Sequence, residues 1–262
     1  MEFTDILYEK RDGRANITIN RPEVMNALRL ITIDELTRAF QDAEFDPEIG
    51  VIVLKGAGDR AFSVGGDQKA VVGSLEGNTW RHFGHSLHRL FQVMRDTTKP
   101  TIAAVRGYAV GGGNELHCFC DLTICTEASI FGQVGAKVGG APLYVVQALP
   151  RIVGEKRAKE IMFMCEQIKA VDAKDMGLVN RVVPDGELEA TVDQYCESLL
   201  AKSSGSLRLL KIGIAFGQAL NDSQIPSLIE AGSAYFGSEE QREGSIAFGE
   251  KRKPDFARFR KR

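Results

Sequence analysis

The sequence of 262 residues lacks the features of disulfide-stabilised, zinc-binding and membrane-spanning proteins. Its five cysteines are odd in number and include no C-x-x-C pair, which argues against a disulfide framework and against a zinc site. No apolar run reaches the length of a membrane span. The first residues, Met1-Glu2-Phe3-Thr4-Asp5, are too acidic for a signal peptide. We therefore expect a cytoplasmic protein with reduced cysteines and no membrane partner.

The sequence also has little net charge. Its 33 basic and 35 acidic residues give a formal charge of -2, whereas proteins that bind nucleic acid normally carry a basic excess. We therefore expect no nucleic-acid partner. The exception is local: cations are concentrated between Glu250 and Arg262, where Phe256 and Phe259 lie among them. Such a segment is either a solvated tail or a binding site for phosphate.

Histidine is scarce, and three of the four histidines, His82, His85 and His88, recur at every third residue. Steps of three drift around a helix, and no acidic partner stands nearby, so the pattern is not typical of a metal site. We expect no bound metal. A role for His85 or His88 in lining an apolar pocket stays open beside an ordinary surface position.

Glycine is abundant, and its most informative cluster is Gly111-Gly112-Gly113. It follows an apolar run, residues 101–105, that is typical of a buried strand, and it precedes residues that favour a buried helix. Glycine lets a ligand atom approach the backbone closely, and the first N–H groups of a helix have no internal partner. The corner is therefore a potential anion site, although a tight turn beneath a neighbouring element would give the same pattern.

A second glycine pair, Gly65-Gly66, follows another apolar segment. In α/β proteins ligands collect at the carboxyl ends of the strands. Two backbone N–H groups that converge there would form an oxyanion hole for the charge that develops on a carbonyl oxygen. The sequence alone leaves open whether the two corners meet.

Hydrophobic periodicity and turn residues predict the order of the elements. A hairpin is predicted over residues 6–20, and the apolar run 51–55 should be a strand covered on both faces. A mobile loop over 70–79 and a glycine-rich, non-helical passage over 132–142 are expected to line a site. The other predicted strands are 101–105, 122–125 and 180–183, and the predicted helices are 32–45, 80–95, 154–163, 173–178, 187–202, 206–220 and 223–236.

Several motifs occur together in one order: Arg21-Pro22 with Asn26-Ala27-Leu28, Ala61 to Asp67, Lys99-Pro100 with Ile102 to Val105, Gly107 to Leu116, Cys120-Asp121-Leu122 and Phe131-Gly132-Gln133. In this order they resemble the crotonase (enoyl-CoA hydratase/isomerase) superfamily over nearly the whole chain. Within it the chain is most similar to the branch of 1,4-dihydroxy-2-naphthoyl-CoA synthases and 2-ketocyclohexanecarboxyl-CoA hydrolases. The segments that carry this finer likeness are Gly66-Asp67-Gln68, Phe131 to Gly135, Arg151 to Gly154 and Lys251 to Phe256.

The resemblance implies an α/β fold with a crotonase-type ββα spiral core over residues 1–185, which holds the acyl-CoA site. It also implies a helical C-terminal region over 186–262 that forms trimers, which pair into hexamers. The substrate would be an acyl-CoA thioester, and no cofactor is needed beyond its coenzyme A. The backbone N–H groups of Gly66 and Gly112 would hold the thioester carbonyl. The further substrate-binding positions are Val64, Gly65, Asp67, Gly111, Gly135 and Lys253.

The resemblance is uneven at the acid and base. Enoyl-CoA hydratases hold water between two glutamates: the first falls at Glu115, and the position of the second is Gly135. The synthases lack the first glutamate and use a Ser/Asp/Tyr set in the following loop. Here that loop, residues 139–147, lacks the serine and the aspartate and offers Tyr144 as a displaced substitute. A tyrosine from the C-terminal helices of the synthases falls at Phe236, beside Tyr235.

Three hypotheses follow from the resemblance. In the first, the chain is an enoyl-CoA hydratase that acts on an α,β-unsaturated, linear or cyclic acyl-CoA and uses Glu115 as its single acid/base. Glu115 also has a purely structural interpretation, as a negative charge placed favourably near the start of a helix. In the second, the chain opens or closes a carbon-carbon bond of a cyclic β-keto acyl-CoA. In the third, it is an inactive acyl-CoA-binding or RNA-associated relative, against which its neutral charge and its intact glycine corners speak.

Overall fold

The structure is a computed structural model, of which residues 2–67, 69–70, 77–142, 144–222, 229 and 238–255 are described. The predictions made for Gln68, for most of the loop 70–79, for almost all of the helix 223–236 and for the last residues of the chain lie outside these ranges. They stay predictions. Within the described residues, no helix is long and apolar enough to span a membrane.

The described part of the chain alternates short strands with helices, and its last elements are helices. The strands are β1 Ile6–Arg11, β2 Arg14–Ile19, β3 Val51–Gly56, β4 Ala61–Ser63, β5 Thr101–Val105, β6 Tyr108–Val110, β7 Leu122–Thr126, β8 Ile130–Gly132, β9 Ile168–Lys169 and β10 Arg181–Val183. The helices are α1 Leu30–Phe45, α2 Gly77–Asp96, α3 Gly112–Cys118, α4 Val145–Val153, α5 Glu155–Met164, α6 Ala170–Asp175, α7 Leu188–Leu200, α8 Ser204–Asp222 and α9 Glu239–Gly249. Short 3-10 turns cover Pro22–Val24, Gly135–Val138 and Asp185–Glu187.

Within the described ranges, ten strands form two sheets. Six of them lie in the order β1-β2-β3-β5-β7-β10, in which the predicted β1–β2 hairpin is antiparallel and the remaining pairs are parallel. The other sheet has the order β4-β6-β8-β9. Because β4 and β6 directly precede the two glycine corners and pair with each other in parallel, both corners leave the same edge of this smaller sheet.

The larger sheet is covered on both faces, as the apolar run at β3 predicts. Ile52 and Leu54 belong to the main core, which also contains the inner faces of α1 and α2. Val51 and Val53 face the opposite way, into a smaller core completed by Val192 and its neighbours on α7. The alternation follows from the two-residue period of a strand. The two glycine corners lie instead at the ends of strands of the smaller sheet and at the start of α3.

Several predicted boundaries were wrong. Helix α2 begins at Gly77 rather than near residue 80, and α6 covers 170–175 rather than 173–178. The segment 139–147, interpreted as loop, ends in helix, because α4 begins at Val145. The glycine-rich passage 132–142 contains a 3-10 turn. Helix α9 lies within the region 186–262 that was expected to be helical, but no separate helix was predicted at its position.

Candidate active site

The two glycine corners meet in space. A Cβ atom added to Gly65 would lie 2.5 Å from the backbone nitrogen of Gly112, and one added to Gly112 would lie 3.1 Å from the Cα of Gly65. Gly65 also has a φ of +84°, which side-chain-bearing residues rarely adopt. Only glycine lets the two backbones approach this closely. The contact that the sequence left open therefore exists.

Gly66 is held by a strand-like pairing with Leu28. The Leu28 N–H donates to the Gly65 carbonyl at 2.7 Å, and the Asp67 N–H donates to the Leu28 carbonyl at 2.8 Å. In such a pairing the N–H of the intervening residue points to the opposite side. No described residue accepts a hydrogen bond from the N–H of Gly66 or from that of Gly112, the first residue of α3. Both donors are thus available to a ligand at the junction of the corners.

The side chains of Ser63 and Asn26 hold the Gly65-Gly66 corner in place through hydrogen bonds. The Ser63 hydroxyl donates to the Asn26 carbonyl at 2.8 Å and accepts from the Gly65 N–H at 3.2 Å. The Asn26 amide donates to the carbonyls of Ala57 and Ala61. Both side chains are fully buried. A buried polar group with all these partners fixes one backbone path, here the path from β4 into Gly65 and Gly66.

A buried charge network holds the outer side of the same corner. The Arg21 guanidinium donates to Asp67 at 3.0 Å and to the Ala27 carbonyl at 2.6 Å. Asp5 accepts two hydrogen bonds from Arg29, at 2.6 and 2.7 Å. Asp67, predicted to bind substrate, therefore uses its carboxylate in a pair with Arg21, directly after Gly66.

Glu115 lies in the first turn of α3, three residues after Gly112, and is almost completely buried. Burial raises the pKa of its carboxyl to about 8, although hydrogen bonds from the Val145 N–H and the Gln133 side chain lower that pKa in part. The Gln133 amide lies 3.4 Å from the Glu115 carboxylate. A carboxyl with a pKa close to neutral pH is suited to both accepting and giving a proton.

Next along α3, His117 is buried and neutral. Its ring lies between Asn114 and Thr123, with nitrogen-to-oxygen distances of 3.1 and 3.3 Å. Burial lowers the pKa of His117 to about 3, so this side chain stays uncharged across the physiological range. Among the described residues, no group of three potential metal ligands comes together.

Tyr144 is buried next to α2. Its hydroxyl donates to the backbone carbonyl of Gly84, and its ring stacks on His88 with 6.2 Å between centroids. Burial raises the pKa of Tyr144, and the charge of Glu115 raises it further. His88 packs against this tyrosine. The catalytic role predicted for Tyr144 stays a prediction.

The remaining predicted positions surround this centre. Gly111 has a φ of +56° and faces the Val64 carbonyl, which would lie 3.5 Å from an added Cβ. Gly135 accepts a hydrogen bond from the Gly140 N–H at 2.8 Å and so closes the turn that follows Gln133. Lys253 is exposed and lies beyond α9.

Helix α9 supports this turn through a contact between two glycines. A Cβ added to Gly139 would lie 2.8 Å from the Gln241 carbonyl, and one added to Gly244 would lie 2.7 Å from the Gly139 nitrogen. The segment after α9 folds back, because Arg252 pairs with the buried Glu243 at 2.6 and 3.0 Å. The sequence analysis did not predict the contact between Gly139 and Gly244. The one local signal for it was a glycine without an evident purpose in each of the two segments.

Comparison with known proteins agrees with this geometry. The sequence profile of the family described as enoyl-CoA hydratase/isomerase matches residues 9–259. The structure of an enoyl-CoA hydratase/isomerase from Xanthobacter autotrophicus Py2 is 34% identical, covers 95% of this chain and 94% of that one, and superposes with a TM-score of 0.85.

Two further solved structures are of enzymes that differ in their activity. An enoyl-CoA hydratase from Bacillus anthracis is 30% identical over 96% of this chain and 98% of that one, with a TM-score of 0.78. A monofunctional enoyl-CoA isomerase from M. smegmatis is 30% identical over 82% of this chain and 94% of that one, with a TM-score of 0.70. The chain therefore belongs to the enoyl-CoA hydratase/isomerase family and has the crotonase fold.

Proposed function

We propose that the chain binds an acyl-CoA thioester and holds its carbonyl oxygen on the N–H groups of Gly66 and Gly112. The observation that supports this proposal is the backbone contact between the two corners, in which neither the Gly66 N–H nor the Gly112 N–H has an acceptor among the described residues. Loss of one donor of an oxyanion hole typically lowers the rate by about 10² to 10³.

Removing or adding a proton at the α-carbon of a thioester requires stabilisation of the enolate oxygen. The two N–H groups are fixed before the substrate arrives, since Leu28 and Ser63 hold one corner and α3 holds the other. They therefore need little reorganisation as negative charge develops. A helix N-terminus at Gly112 adds a favourable dipole.

Glu115 is the proposed acid/base of the reaction. In hydration, its carboxylate takes a proton from water as the oxygen bonds to the β-carbon, and the double-bond electrons move to the enolate oxygen. As the enolate collapses, the carboxyl gives a proton to the α-carbon and returns to its ionised form. One carboxylate is sufficient for this cycle. At pH 7 about a tenth of a group with a pKa near 8 is ionised, so the rate should rise with pH.

A second candidate is the opening or closure of a carbon-carbon bond in a cyclic β-keto acyl-CoA. The segments around Gly66-Asp67 and Phe131 to Gly135, similar to those of the naphthoyl-CoA synthase branch, favour it. The loop 139–147 lacks the serine and aspartate of that branch. Hydration therefore stands first.

We propose further that residues 186–262 assemble the chain into a trimer or a pair of trimers. Leu209, Leu210 and Ile214 on α8 are each more than 60% exposed, as expected of a helix face that meets another subunit. Light scattering on the purified protein measures the assembly directly, and a monomer at micromolar concentration would contradict it. Lys253 is proposed to meet the phosphates of the coenzyme A.

The reaction is tested with a panel of linear enoyl-CoA, cyclic enoyl-CoA, β,γ-unsaturated acyl-CoA and cyclic β-keto acyl-CoA thioesters. Both the enone absorbance and the product structure are followed, since hydration and ring hydrolysis each add one water. We expect a 3-hydroxyacyl-CoA. A new free carboxylate would show ring opening, and a shifted double bond without added water would show isomerisation. Binding without turnover of any thioester would refute the proposed chemistry.

A further inference from the structure

Leu28 lies against both glycine corners. Its backbone pairs with the segment around Gly66, since its N–H donates to the Gly65 carbonyl at 2.7 Å and its carbonyl accepts from the Asp67 N–H at 2.8 Å. Its side chain reaches the other corner, because a Cβ added to Gly112 would lie 3.4 Å from the Leu28 Cδ1. The position of Leu28 therefore determines where the Gly66 N–H points relative to that of Gly112.

The side chain of Arg21 joins the two segments of this pairing. Its Nη1 donates at 2.6 Å to the carbonyl of Ala27, the residue before Leu28. Its Nη2 donates at 3.0 Å to the carboxylate of Asp67, the residue after Gly66. A guanidinium has its donors at fixed angles in one plane and can bind two acceptors at once. Arg21 therefore fixes the spacing of the two segments where they position the Gly66 N–H.

Arg21 is itself held in one place. It is buried, its backbone N–H donates to the Asn26 side chain at 3.0 Å, and its carbonyl accepts from the Asn26 N–H at 2.8 Å. Its Nε lies 3.7 Å from Asp5, whose carboxylate accepts two hydrogen bonds from Arg29. A buried guanidinium with partners at Nε and at both Nη atoms keeps one conformation.

Stability alone does not account for an ion pair at this position. A buried ion pair contributes little to the net free energy of unfolding, because the loss of hydration of both charges offsets their attraction. An apolar pair of similar volume would fill the same space at least as well. What an apolar pair lacks is direction: the two hydrogen bonds of Arg21 fix the segments on both sides of Gly66.

We propose that Arg21 is a positioning residue for the oxyanion site, because its two hydrogen bonds aim the Gly66 N–H at the thioester oxygen. The inference rests on the proposed function, in which that N–H is one of the two donors. Arg21 touches no substrate atom and acts through Gly66. Asp67 then has a part other than substrate binding, since one carboxylate oxygen faces Arg21 and the other accepts from the Lys69 N–H at 3.2 Å.

The effect should fall on the rate rather than on substrate binding. The enolate oxygen carries more negative charge than the carbonyl oxygen of the bound thioester, so a misdirected N–H costs more in the transition state than in the ground state. Loss of a whole donor lowers the rate by about 10² to 10³, and Arg21→Met displaces this donor without removing it. We therefore expect kcat to fall about tenfold, with little change in KM.

Two substitutions test the guanidinium, and a third is the matched control. Arg21→Met removes both hydrogen bonds and keeps much of the apolar volume. Arg21→Lys is the milder variant, which keeps the charge but has a single ammonium that cannot reproduce the planar fork. The control is Arg29→Met, because Arg29 belongs to the same charge network and pairs with Asp5 at 2.6 and 2.7 Å, yet its side chain makes no hydrogen bond to the segment around Gly66 within the described residues.

Two readouts are measured for each folded variant: kcat and KM with an enoyl-CoA, and the infrared carbonyl band of a bound saturated acyl-CoA that is isotopically labelled at its thioester carbonyl. The saturated thioester has no double bond to hydrate, and its band moves to lower wavenumber when the oxygen accepts hydrogen bonds. We expect the band shift of the natural protein to shrink in both Arg21 variants and to keep its size in Arg29→Met.

The outcomes separate this inference from the proposed function. Absence of a band shift in the natural protein would refute the oxyanion site itself, and the inference with it. A shift in the natural protein that Arg21→Met and Arg21→Lys leave unchanged would overturn the inference alone. So would a loss of kcat in Arg29→Met as large as that in the Arg21 variants, because the network would then act only through the stability of the fold.

Discussion

Replacing Glu115 by glutamine exchanges a buried carboxyl for a neutral amide of nearly the same shape. An ordinary glutamate has a pKa of 4.5, whereas that of Glu115 is about 8. Below pH 4.5 the carboxyl is protonated in the folded and the unfolded chain, and it contributes no pH dependence. Between these two values only the unfolded chain ionises, so the free energy of unfolding of the natural protein falls as the pH rises.

The size of this effect follows from the two pKa values. Each pH unit between them lowers the free energy of unfolding by about 1.4 kcal/mol, which amounts to about 3 kcal/mol at pH 7. Glu115→Gln lacks the ionisable group. We therefore expect it to gain about 3 kcal/mol relative to the natural protein between pH 4.5 and pH 7, while losing about 10² to 10⁴ in kcat with an enoyl-CoA.

The assay is urea unfolding of both proteins from pH 4.5 to pH 8, at one protein concentration because assembly would add to stability. Glu160→Gln, on the exposed face of α5, controls for the exchange of carboxyl for amide at the surface. Parallel pH curves for the natural protein and Glu115→Gln would refute the raised pKa. Full activity in the variant would refute the catalytic role, whatever the stability.

Other predictions concern the surroundings of the carboxyl. Gly65→Ala places a Cβ against the other corner and should lower kcat by about 10² or more. Gly186→Ala, where an added Cβ meets nothing within 4 Å, should leave kcat unchanged, and equal rates in both variants would contradict the oxyanion site. Arg21→Met takes the ion pair from the half-buried Asp67 carboxylate and the donor from the Ala27 carbonyl, and it should lower the free energy of unfolding in urea by about 2 kcal/mol. A loss of less than about 0.5 kcal/mol would count against a structural pair. Lys253→Met should raise KM for an acyl-CoA but not for the matching pantetheine thioester, which lacks the nucleotide phosphates. An equal change for both would place Lys253 away from the phosphates.

The sequence predicts this fold best where local pattern and burial agree. The β3 run 51–55 has no polar alternation, and the strand is indeed covered on both faces. Gly111 to Gly113 mark a strand-to-helix corner, and α3 begins at Gly112. Glu115 lies one turn into that helix, where its burial comes from packing. No pattern in the local sequence reports how completely neighbouring elements enclose a side chain.

What the sequence missed depends on distant contacts. Helix α4 begins inside a presumed loop and contains Pro150, a residue that normally ends a helix, so its formation depends on packing against α3 and α5. Helix α9 carries Gly244, which weakens helix propensity but fits against Gly139. In both cases a tertiary contact outweighs the local preference. The meeting of Gly65 with Gly112 is likewise invisible until the strands β4 and β6 are paired.

The contact between Gly139 and Gly244 also bears on when the protein becomes functional during synthesis. The turn at Gly135 to Gly139 is made early, but the helix that supports it lies more than a hundred residues later in the chain. Contacts of such long sequence separation form only after the intervening chain is ordered, and domains emerge from the ribosome with the N-terminal part first. A nascent chain without α9 would have both glycine corners but an unsupported turn. We therefore expect activity to arise only once nearly the whole chain has left the ribosome.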